Sequence, residues 1–279
     1  MSGVFVTGAA GFVGRHLLPC LMAEGVQVLN RGFRIDLLQP DALRAAIRGA
    51  STVVHLAGRT GKARRSVFIR DNVEATRALI EACRAEGVPR LIFISSAAAK
   101  FPNLERYPYG QSKLDAEKLV RQSRLDWAIV RPTFIFGKDA PVLKGLVKLA
   151  MLGVMPGSGQ NKTQPIDVED LCAILVTLCK APQLGHRSFD AGGPHAITLT
   201  DLMNRLRTRL GKSPGFVRLP LGLIRQVLRF VEPVLLPVLP VTAGQLASFE
   251  VDVIAADPTP VEFRPAKYTS LSEMLERYV

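Results

Sequence analysis

Two side chains in the middle of the chain have the types and the spacing for acid/base chemistry. Tyr109 and Lys113 stand four residues apart in the stretch YGQSK, so on a helix they project from one face, one turn apart. A free tyrosine has a pKa of about 10, but a nearby ammonium group favours the phenolate. Ser96, at a predicted strand end, could hold the substrate oxygen by a hydrogen bond while Tyr109 exchanges a proton with it. The three residues predict proton transfer at a hydroxyl or carbonyl group.

The segment VFVTGAAGFVGRHLLPCLMAEG, residues 4–25, predicts a binding site for a phosphate-bearing ligand. An apolar strand runs into three glycines spaced three apart and then into helical periodicity. Gly8 permits a tight turn, Gly11 lets the main chain approach a ligand, and Gly14 lets the helix pack closely on the strand. The helix N-terminus then offers free N–H groups and a positive dipole end to a pyrophosphate. A dinucleotide fits there, although the spacing is G-x-x-G-x-x-G and not G-x-G-x-x-G.

The chain continues as alternating strands and helices. Apolar periodicity predicts strands at 26–30, 52–56, 91–94 and 128–130 and helices at 41–47, 68–85 and 109–122. The strand runs are continuously apolar, which is typical of a parallel sheet covered on both faces. We therefore predict an α/β fold with a doubly wound, Rossmann-type parallel sheet and a smaller C-terminal substrate lobe, with ligands outside the carboxyl ends of the strands. The predicted dinucleotide-binding domain is 1–132, joined again by about 163–192, and the predicted lobe is 133–162 and 193–279.

Composition limits the class of protein. The chain has 279 residues, a formal net charge of +12 and four cysteines without C-x-x-C spacing, which favours a reduced, cytoplasmic protein over a disulfide scaffold or metal site. No N-terminal secretory pattern is visible. The charge indicates an anionic partner such as a phosphorylated cofactor, an acidic substrate, nucleic acid or lipid headgroups, although it could serve solubility alone. A nucleic-acid binder ranks third because no recognition motif or basic run accompanies the charge.

The ordered motifs resemble one family. VTGAAGFVG is similar to the glycine turn of the extended short-chain dehydrogenase/reductases, the NAD-dependent epimerase/dehydratase family. RIDLLQPDALRAAIRGASTVVHLAG resembles the second cofactor segment, FIRDNVEATRALIEAC the asparagine helix and YGQSKLDAE the catalytic helix. RPTFIFG and QPIDVEDLCAILV resemble the segments that close the cofactor site and open the substrate lobe. The likeness covers nearly the first 200 residues.

The resemblance implies roles by position. Ser96, Tyr109 and Lys113 would be catalytic, and no metal is expected. The implied cofactor contacts are Gly8, Ala10, Gly11, Phe12, Val13, Gly14, Arg31, Asp36, Leu37, Leu56, Ala57, Gly58, Asn72, Tyr109, Lys113 and Pro132. Asp36 and Leu37 would lie beside adenine. The positive nicotinamide ring of an oxidised cofactor would add to the pull of Lys113 toward phenolate.

Charge at the end of the second strand bears on the choice of cofactor. An acidic residue there would bind the ribose 2′-OH of NAD, whereas arginine accommodates the 2′-phosphate of NADP. This sequence has Asn30 and Arg31 at that place and Arg15 just past the glycines. The pattern favours NADP over NAD.

The second half gives a weaker indication of substrate. Thr133, Lys138 and Gln164 are candidate substrate contacts, and a nucleotide sugar is one candidate substrate. However, Thr133 stands where many sugar-nucleotide members of the resembled family carry asparagine, and Lys100 and Phe101 replace the tyrosine-glycine that often follows the catalytic serine.

The tail contains a predicted amphipathic helix with Leu221, Ile224, Val227, Leu228 and Val231 on one face and Arg225, Arg229 and Glu232 on another. Charges and prolines interrupt it too often for a bilayer span. It could pack on its own protein, or 216–241 could contact an anionic membrane peripherally, at the inner face. This part also resembles, more loosely, the family branch that contains the complex I accessory subunit.

Two functions follow. The first is an NAD(P)-dependent oxidoreductase or epimerase that acts on a small molecule by hydride transfer, with Tyr109 as acid/base. The alternative is a cofactor-binding structural or assembly protein of a membrane complex, without turnover. The set Ser96, Tyr109 and Lys113 favours the first, and the basic tail and Thr133 favour the second.

Overall fold

The computed structural model describes residues 3–30, 35–235 and 245–279. The strands are β1 (Gly3–Thr7), β2 (Ala50–His55), β3 (Arg90–Ile94), β4 (Asp126–Pro132), β5 (Ile135–Phe136), β6 (Val154–Pro156), β7 (Lys162–Thr163), β8 (Ile166–Asp167), β9 (Arg187–Ala191), β10 (Ile197–Thr198) and β11 (Val217–Leu219). The helices are α1 (Phe12–Ala23), α2 (Pro40–Ile47), α3 (Arg65–Phe68), α4 (Ala75–Ala85), α5 (Pro108–Arg121), α6 (Pro141–Leu152), α7 (Val168–Lys180), α8 (Leu199–Arg209), α9 (Leu221–Leu235) and α10 (Leu271–Tyr278). A π-helical segment, Ile69–Glu74, joins α3 to α4.

The main sheet is parallel, with the strand order β1-β2-β3-β4-β9. The central residues of β1 to β4 are apolar and buried, since helices cover both faces of the sheet. α1 and α7 pack on one face, and α2, α4 and α5 pack on the other. The predicted doubly wound α/β fold is confirmed.

The predicted strand at 26–30 is wrong in extent, since Val28 forms only an isolated bridge with Val4. The cause lies in Asn30, whose side-chain amide accepts from Val6 N at 2.8 Å and donates to Val6 O at 2.7 Å. The side chain of Asn30 thereby takes the N–H and C=O groups of Val6. A longer strand pairing of 26–30 with β1 would need these same groups for its main-chain hydrogen bonds. The chain still passes one side of β1 at Val28 and then crosses to β2 on the other side. The carboxyl end of β1 is therefore a topological switch point, where ligands bind in such sheets.

A separate apolar cluster contains residues of α6, β6, α8 and α10, among them Leu146, Met155, Leu202 and Met274. Two-stranded pairs connect its elements: β5 with β8, β7 with β10, and β6 with β11. The elements of the cluster lie within the predicted C-terminal lobe, whereas β8 lies in 163–192, the segment predicted to return to the dinucleotide-binding domain; the domain boundaries stay a prediction.

Candidate active site

The glycine turn connects β1 to α1 as a tight, bare loop. Gly8 has φ of 70°, and a Cβ at Gly14 would come within 2.4 Å of Gly8 O. Gly11 N donates to Gly8 O at 2.8 Å. Among the described residues no side chain caps α1 and no acidic residue lies in its first turn, so its N–H groups can receive an anion. A pyrophosphate fits this cradle, and Ala10, Phe12 and Val13 are its other exposed or half-buried members.

A chain of hydrogen bonds supports the loop that follows β2. Thr7 Oγ1 accepts from Ala57 N at 3.2 Å and contacts His55 Nδ1 at 2.7 Å, while His55 Nε2 contacts Thr76 Oγ1 at 3.0 Å. Thr76 Oγ1 itself donates to Asn72 O at 2.6 Å, so His55 Nε2 must carry the proton and Thr7 must donate to Nδ1. Burial lowers the pKa of His55 to about 3, and the charge of Lys113 contributes. A neutral His55 thus links the two segments around the predicted cofactor loop of Leu56, Ala57 and Gly58.

Asn72 holds the same loop from the π-helical segment. Its Oδ1 accepts from Arg59 N at 2.6 Å, and its Nδ2 donates to Arg59 O at 3.2 Å and to Ser112 Oγ at 2.8 Å. A Cβ at Gly58 would lie 2.8 Å from Asn72 Oδ1 and 3.5 Å from Lys113 Nζ. Gly58, Asn72 and Lys113 therefore meet at one point, as the sequence motifs had implied.

Ser96 and Tyr109 meet at the carboxyl end of β3. Ser96 begins a 3₁₀ turn and accepts from Ala98 N at 3.2 Å, and its hydroxyl acts to lower the pKa of Tyr109. Burial raises the pKa of Tyr109 above its ordinary value, and Ser96 acts in the opposite direction. In the protein alone the pKa of Tyr109 is not lowered toward the phenolate as expected, because the effect of burial exceeds the opposite effect of Ser96.

Lys113 is buried beside this pair. Its Nζ donates to Ile94 O at 2.8 Å and lies 5.0 Å from the centre of the Phe93 ring. Burial lowers the pKa of Lys113 to about 8, and the Glu117 carboxylate acts in the opposite direction. The ammonium is thus held at the base of the site by the main chain of β3.

A buried ion pair lies one helical turn below Lys113, and sequence reasoning missed it. Arg131 binds both carboxylate oxygens of Glu117 at 2.7 Å, and Ser95 Oγ donates to Glu117 Oε1 at 2.6 Å. Arg131 Nη1 lies 3.7 Å from Asp190 Oδ1, and Lys100 Nζ donates to Asp190 Oδ2 at 2.9 Å. The continued spacing of four residues from Tyr109 through Lys113 to Glu117 was the available signal. These bonds tie α5 to β3, β4 and β9.

The side of Tyr109 that faces the C-terminal lobe is apolar. One cluster joins Tyr109 with Ala97, Ala98, Phe101, Leu104, Tyr107, Phe134, Ala247, Val251 and Val253. The Tyr107 ring packs edge-on against Tyr109, and Phe101 stacks on Tyr107. Phe101, which replaces a glycine of the resembled pattern, therefore belongs to the same apolar cluster as Tyr109 and packs on its neighbour Tyr107.

The structure brings two of the three predicted substrate residues together. Thr133 Oγ1 donates to Gln164 O at 2.5 Å, and Gln164 Nε2 donates to Gly193 O at 2.6 Å. Gln164 Oε1 also accepts from Ala255 N. Their side chains thus bind the protein's own main chain, with buried Pro132 directly before them at the end of β4. Lys138 is exposed and apart from them.

Among the residues expected to choose the cofactor, Asn30 is the one whose side chain binds the protein itself. Asn30 is buried against β1 and does not face a ligand. Arg31 lies outside the described residues. Asp36 is exposed and accepts from Leu38 N at 3.0 Å, Leu37 is buried, and Arg15 is exposed on α1.

Other polar groups have structural partners. The four cysteines are free thiols. His16 Nδ1 lies 2.6 Å from Glu169, and His186 Nε2 lies 2.9 Å from Leu125 O. Within the described ranges no group of three or more His, Cys, Asp or Glu side chains is arranged to hold a metal ion.

The predicted amphipathic helix corresponds to α9, but its faces differ from the prediction. Leu228 is buried and Leu221 and Ile224 are half-buried, whereas Val227 is 53% exposed. Val231, Arg229 and Glu232 have side chains outside the described set. Over the residues that the structure describes, no helix combines the length and apolar character needed to span a bilayer.

A glycine turn at the switch point of a parallel sheet, beside a Ser-Tyr-Lys set, defines a dinucleotide-dependent α/β enzyme. The chain belongs to the NAD dependent epimerase/dehydratase family, whose model matches residues 4–192. It is accordingly an NAD(P)-binding enzyme of the epimerase, dehydratase and reductase class.

Individual relatives have different activities. Ceramide reductase of Caulobacter vibrioides (strain NA1000 / CB15N) is 34% identical over 78% of this chain and 73% of its own length. The NADH dehydrogenase [ubiquinone] 1 alpha subcomplex subunit 9 of Arabidopsis thaliana is 27% identical over 79% of this chain and 61% of its own length. Among solved structures, MoeE5 in complex with UDP-glucuronic acid and NAD shares the fold, with a TM-score of 0.74, 22% identity and coverage of 99% of this chain and 97% of that one.

Proposed function

We propose that this protein is an NADP(H)-dependent oxidoreductase that transfers a hydride at a hydroxyl or carbonyl carbon of an amphipathic, lipid-like molecule. The observation that carries the proposal is the position of Ser96 directly beyond β3, where its hydroxyl acts to lower the pKa of Tyr109, together with Lys113 buried beside Gly58. A bound nicotinamide would supply the hydride chemistry. Ser96 and Tyr109 hold the substrate oxygen, and Tyr109 donates or accepts its proton.

Lys113 and Asn72 have supporting roles in this proposal. The Lys113 ammonium lies next to Gly58, where it can bind a cofactor hydroxyl and add positive charge near Tyr109. Because burial alone keeps Tyr109 as a phenol, the positive charge of an oxidised cofactor is needed to favour phenolate. Asn72 keeps the loop of Gly58 in place.

Tyr109→Phe tests the catalytic role, since it removes the transferable proton and keeps the ring. The variant and wild type are assayed for NADPH oxidation or NADP reduction with ceramide, other amphipathic alcohols and ketones, and UDP-sugars. Turnover is expected to fall by about 100-fold or more, with little change in nucleotide affinity measured by calorimetry. Tyr107→Phe is the matched control and keeps turnover. Equal turnover in Tyr109→Phe and wild type would refute the role.

The apolar cluster around Tyr109 supports the lipid-like substrate class. Phe101, Phe134 and Val253 belong to one apolar cluster with Tyr109, and the polar groups of Thr133 and Gln164 are already bonded to main chain. The similarity to a ceramide reductase agrees with this class. If UDP-sugars alone gave turnover in the panel, the nucleotide-sugar alternative would replace it.

The preference for NADP rests on two features of the sequence. Asn30 and Arg31 stand where an NAD-binding protein would have an acidic residue, and Arg31 and Arg15 are cations. We expect the Kd for NADPH to be lower than that for NADH, and Arg31→Asp to reverse the order. Retained preference for NADPH in that variant, or tighter NADH binding by wild type, would contradict the assignment.

A structural role without turnover is the second candidate, favoured by the similarity to the complex I subunit. Tightly bound NADPH that no compound in the panel oxidises would support it. Under either function we propose a location at the inner, cytoplasmic face of a membrane, with peripheral contact through 216–241.

A further inference from the structure

Three neighbouring elements of the C-terminal part expose large apolar side chains. The set, which we call the docking surface, consists of Met151 and Leu152 at the end of α6, Val217 and Leu219 on β11, and Leu223 and Val227 on α9. Each is between 37% and 74% exposed. Such a patch on a folded protein indicates a surface that is covered in use.

Main-chain contacts place these residues side by side. Val217 N donates to Gly153 O at 2.8 Å, directly after Leu152, and β11 pairs with β6 in parallel. Leu219 follows Val217 by two residues, so the two side chains leave the same face of the strand. α9 begins two residues after β11 ends, and Leu223 and Val227 stand one helical turn apart on it. α6 and β11 are thus neighbours and α9 follows β11 directly, so we treat their six exposed apolar side chains as one surface.

α9 has two apolar faces, and its own protein covers only one. Leu228 is buried, and the same side of the helix holds Ile224 and Arg225, which is paired with Glu250 at 2.5 Å. Leu223 and Val227 point away from that side and are 59% and 53% exposed. Packing of α9 on the protein therefore leaves the second face without a partner among the described residues.

The segments that carry the docking surface are rich in cations, and the acids nearest to them in the structure, Asp139 and Glu250, each pair with one of these cations, Lys144 and Arg225. No Asp or Glu occurs between Asp139 and Asp167 or between Asp201 and Glu232, and these stretches hold ten lysines and arginines. Lys148 is exposed one turn before Leu152, and Arg218 is exposed on β11, on the face of the strand opposite Val217 and Leu219. An apolar centre with a basic rim complements a bilayer that bears anionic headgroups.

We infer that the docking surface binds an anionic lipid bilayer, with its apolar side chains inserted at the interface. A second copy of the chain would bring two basic rims together, which charge repulsion opposes. Nucleic acid would leave the apolar centre exposed to water. The inference rests on the proposed membrane location and deepens it, because the surface includes α6, outside 216–241, and selects for negative lipid charge.

Co-sedimentation of the full chain with vesicles tests the inference. We expect binding to phosphatidylcholine vesicles that contain phosphatidylglycerol, little binding to phosphatidylcholine alone, and weakening by salt. Leu152→Ser, and separately Leu223→Ser with Val227→Ser, should each weaken partitioning, the double change by about tenfold or more. Arg218→Glu should weaken it by about fivefold or more. Val261→Ser and Arg77→Glu, exposed positions outside the surface, are the matched controls and should bind as wild type does.

The outcomes separate the inference from the proposals on which it rests. No binding of wild type to either vesicle refutes the membrane location. Binding that persists in the Leu152 and Leu223/Val227 variants refutes the docking surface alone. A dimer in analytical ultracentrifugation that these variants dissociate, without vesicle binding, would assign the surface to a second copy and overturn the inference. Tyr109→Phe should bind vesicles as wild type does, whichever way the catalytic test ends.

Discussion

Asn72 Nδ2 donates a hydrogen bond to Ser112 Oγ across 2.8 Å and thereby joins the π-helical segment to α5. Ser112 lies beside Lys113, and its hydroxyl donates to Tyr109 O at 2.7 Å. The loop that carries Gly58 and the helix that carries the acid/base pair are therefore fixed to each other through one amide.

Asn72→Ala should lower the free energy of unfolding by about 2–4 kcal/mol, because it leaves buried polar groups without partners. Ser112→Ala removes only one of the bonds of Asn72 and should cost about 1 kcal/mol. Urea unfolding followed by the fluorescence of Trp127 measures both. A larger loss for Ser112→Ala than for Asn72→Ala would show that the amide is not the main connection. Dinucleotide affinity should fall in the same order.

Gly14→Ala should destabilise the protein by about 1–3 kcal/mol and weaken dinucleotide binding, because its Cβ would meet Gly8 O at 2.4 Å. Gly145→Ala is the matched control: Gly145 lies within α6 and its added Cβ would meet nothing within 4 Å. That change should stabilise the protein by about 0.5–1 kcal/mol. Thermal melting and calorimetric titration with NADPH measure the two effects. Unchanged NADPH affinity in a folded Gly14→Ala variant would contradict the assigned cradle.

Arg131→Met should cost about 3–5 kcal/mol, since it removes the bidentate partner of the buried Glu117 carboxylate and leaves it only the longer contact with Arg121 at 3.5 Å. Adding Glu117→Gln to that variant removes the charge and should restore part of the loss. Lys180→Met, which breaks an exposed pair with Glu24, is the control and should change little. Chemical unfolding of wild type, Arg131→Met, Glu117→Gln, the double variant and Lys180→Met gives the comparison. Strictly additive losses for Arg131→Met and Glu117→Gln would show that the two side chains are not coupled.

Lys113 makes stability depend on pH in a defined window. Burial lowers its pKa to about 8, whereas the unfolded chain keeps the ordinary value of about 10.4. Between these values the unfolded chain binds more protons, so the free energy of unfolding rises with pH by about 1.4 kcal/mol per pH unit from this group. Below pH 8 both states are charged and the contribution is constant.

Lys113→Met should remove this rise, and Lys118→Met, at an exposed position on the same helix, should keep it. Urea unfolding of the protein without added nucleotide at several pH values between 7.5 and 10 measures the slopes. Parallel curves for wild type and Lys113→Met would contradict the lowered pKa.

Local pattern was sufficient for much of the fold and for the proposed chemical groups. Buried parallel strands are rich in apolar residues, and α1, α4 and α5 have helical periodicity. These elements and the glycine turn could therefore be read from 4–25 and 68–122. The spacing of Tyr109 and Lys113 fixes their common face on any helix. The strand predicted at 26–30 was wrong in extent for a reason that residue propensities do not include. The side-chain amide of Asn30, and not the main chain of a neighbouring strand, binds the N–H and C=O of Val6.

By itself, then, the sequence determined the family, the sheet and the identity of the acid/base candidates, because these depend on periodicity and on motifs of neighbouring residues. Only the tertiary structure decided their environment. In the folded chain Thr133 and Gln164 bind main chain. Tyr109 lies in one apolar cluster with Phe101 and Val253, and Arg131 forms an ion pair with Glu117. The tertiary structure also left Leu223 and Val227 exposed beside Leu152. Each of these outcomes depends on contacts between residues far apart in the chain, and burial and charge pairing are properties of those contacts.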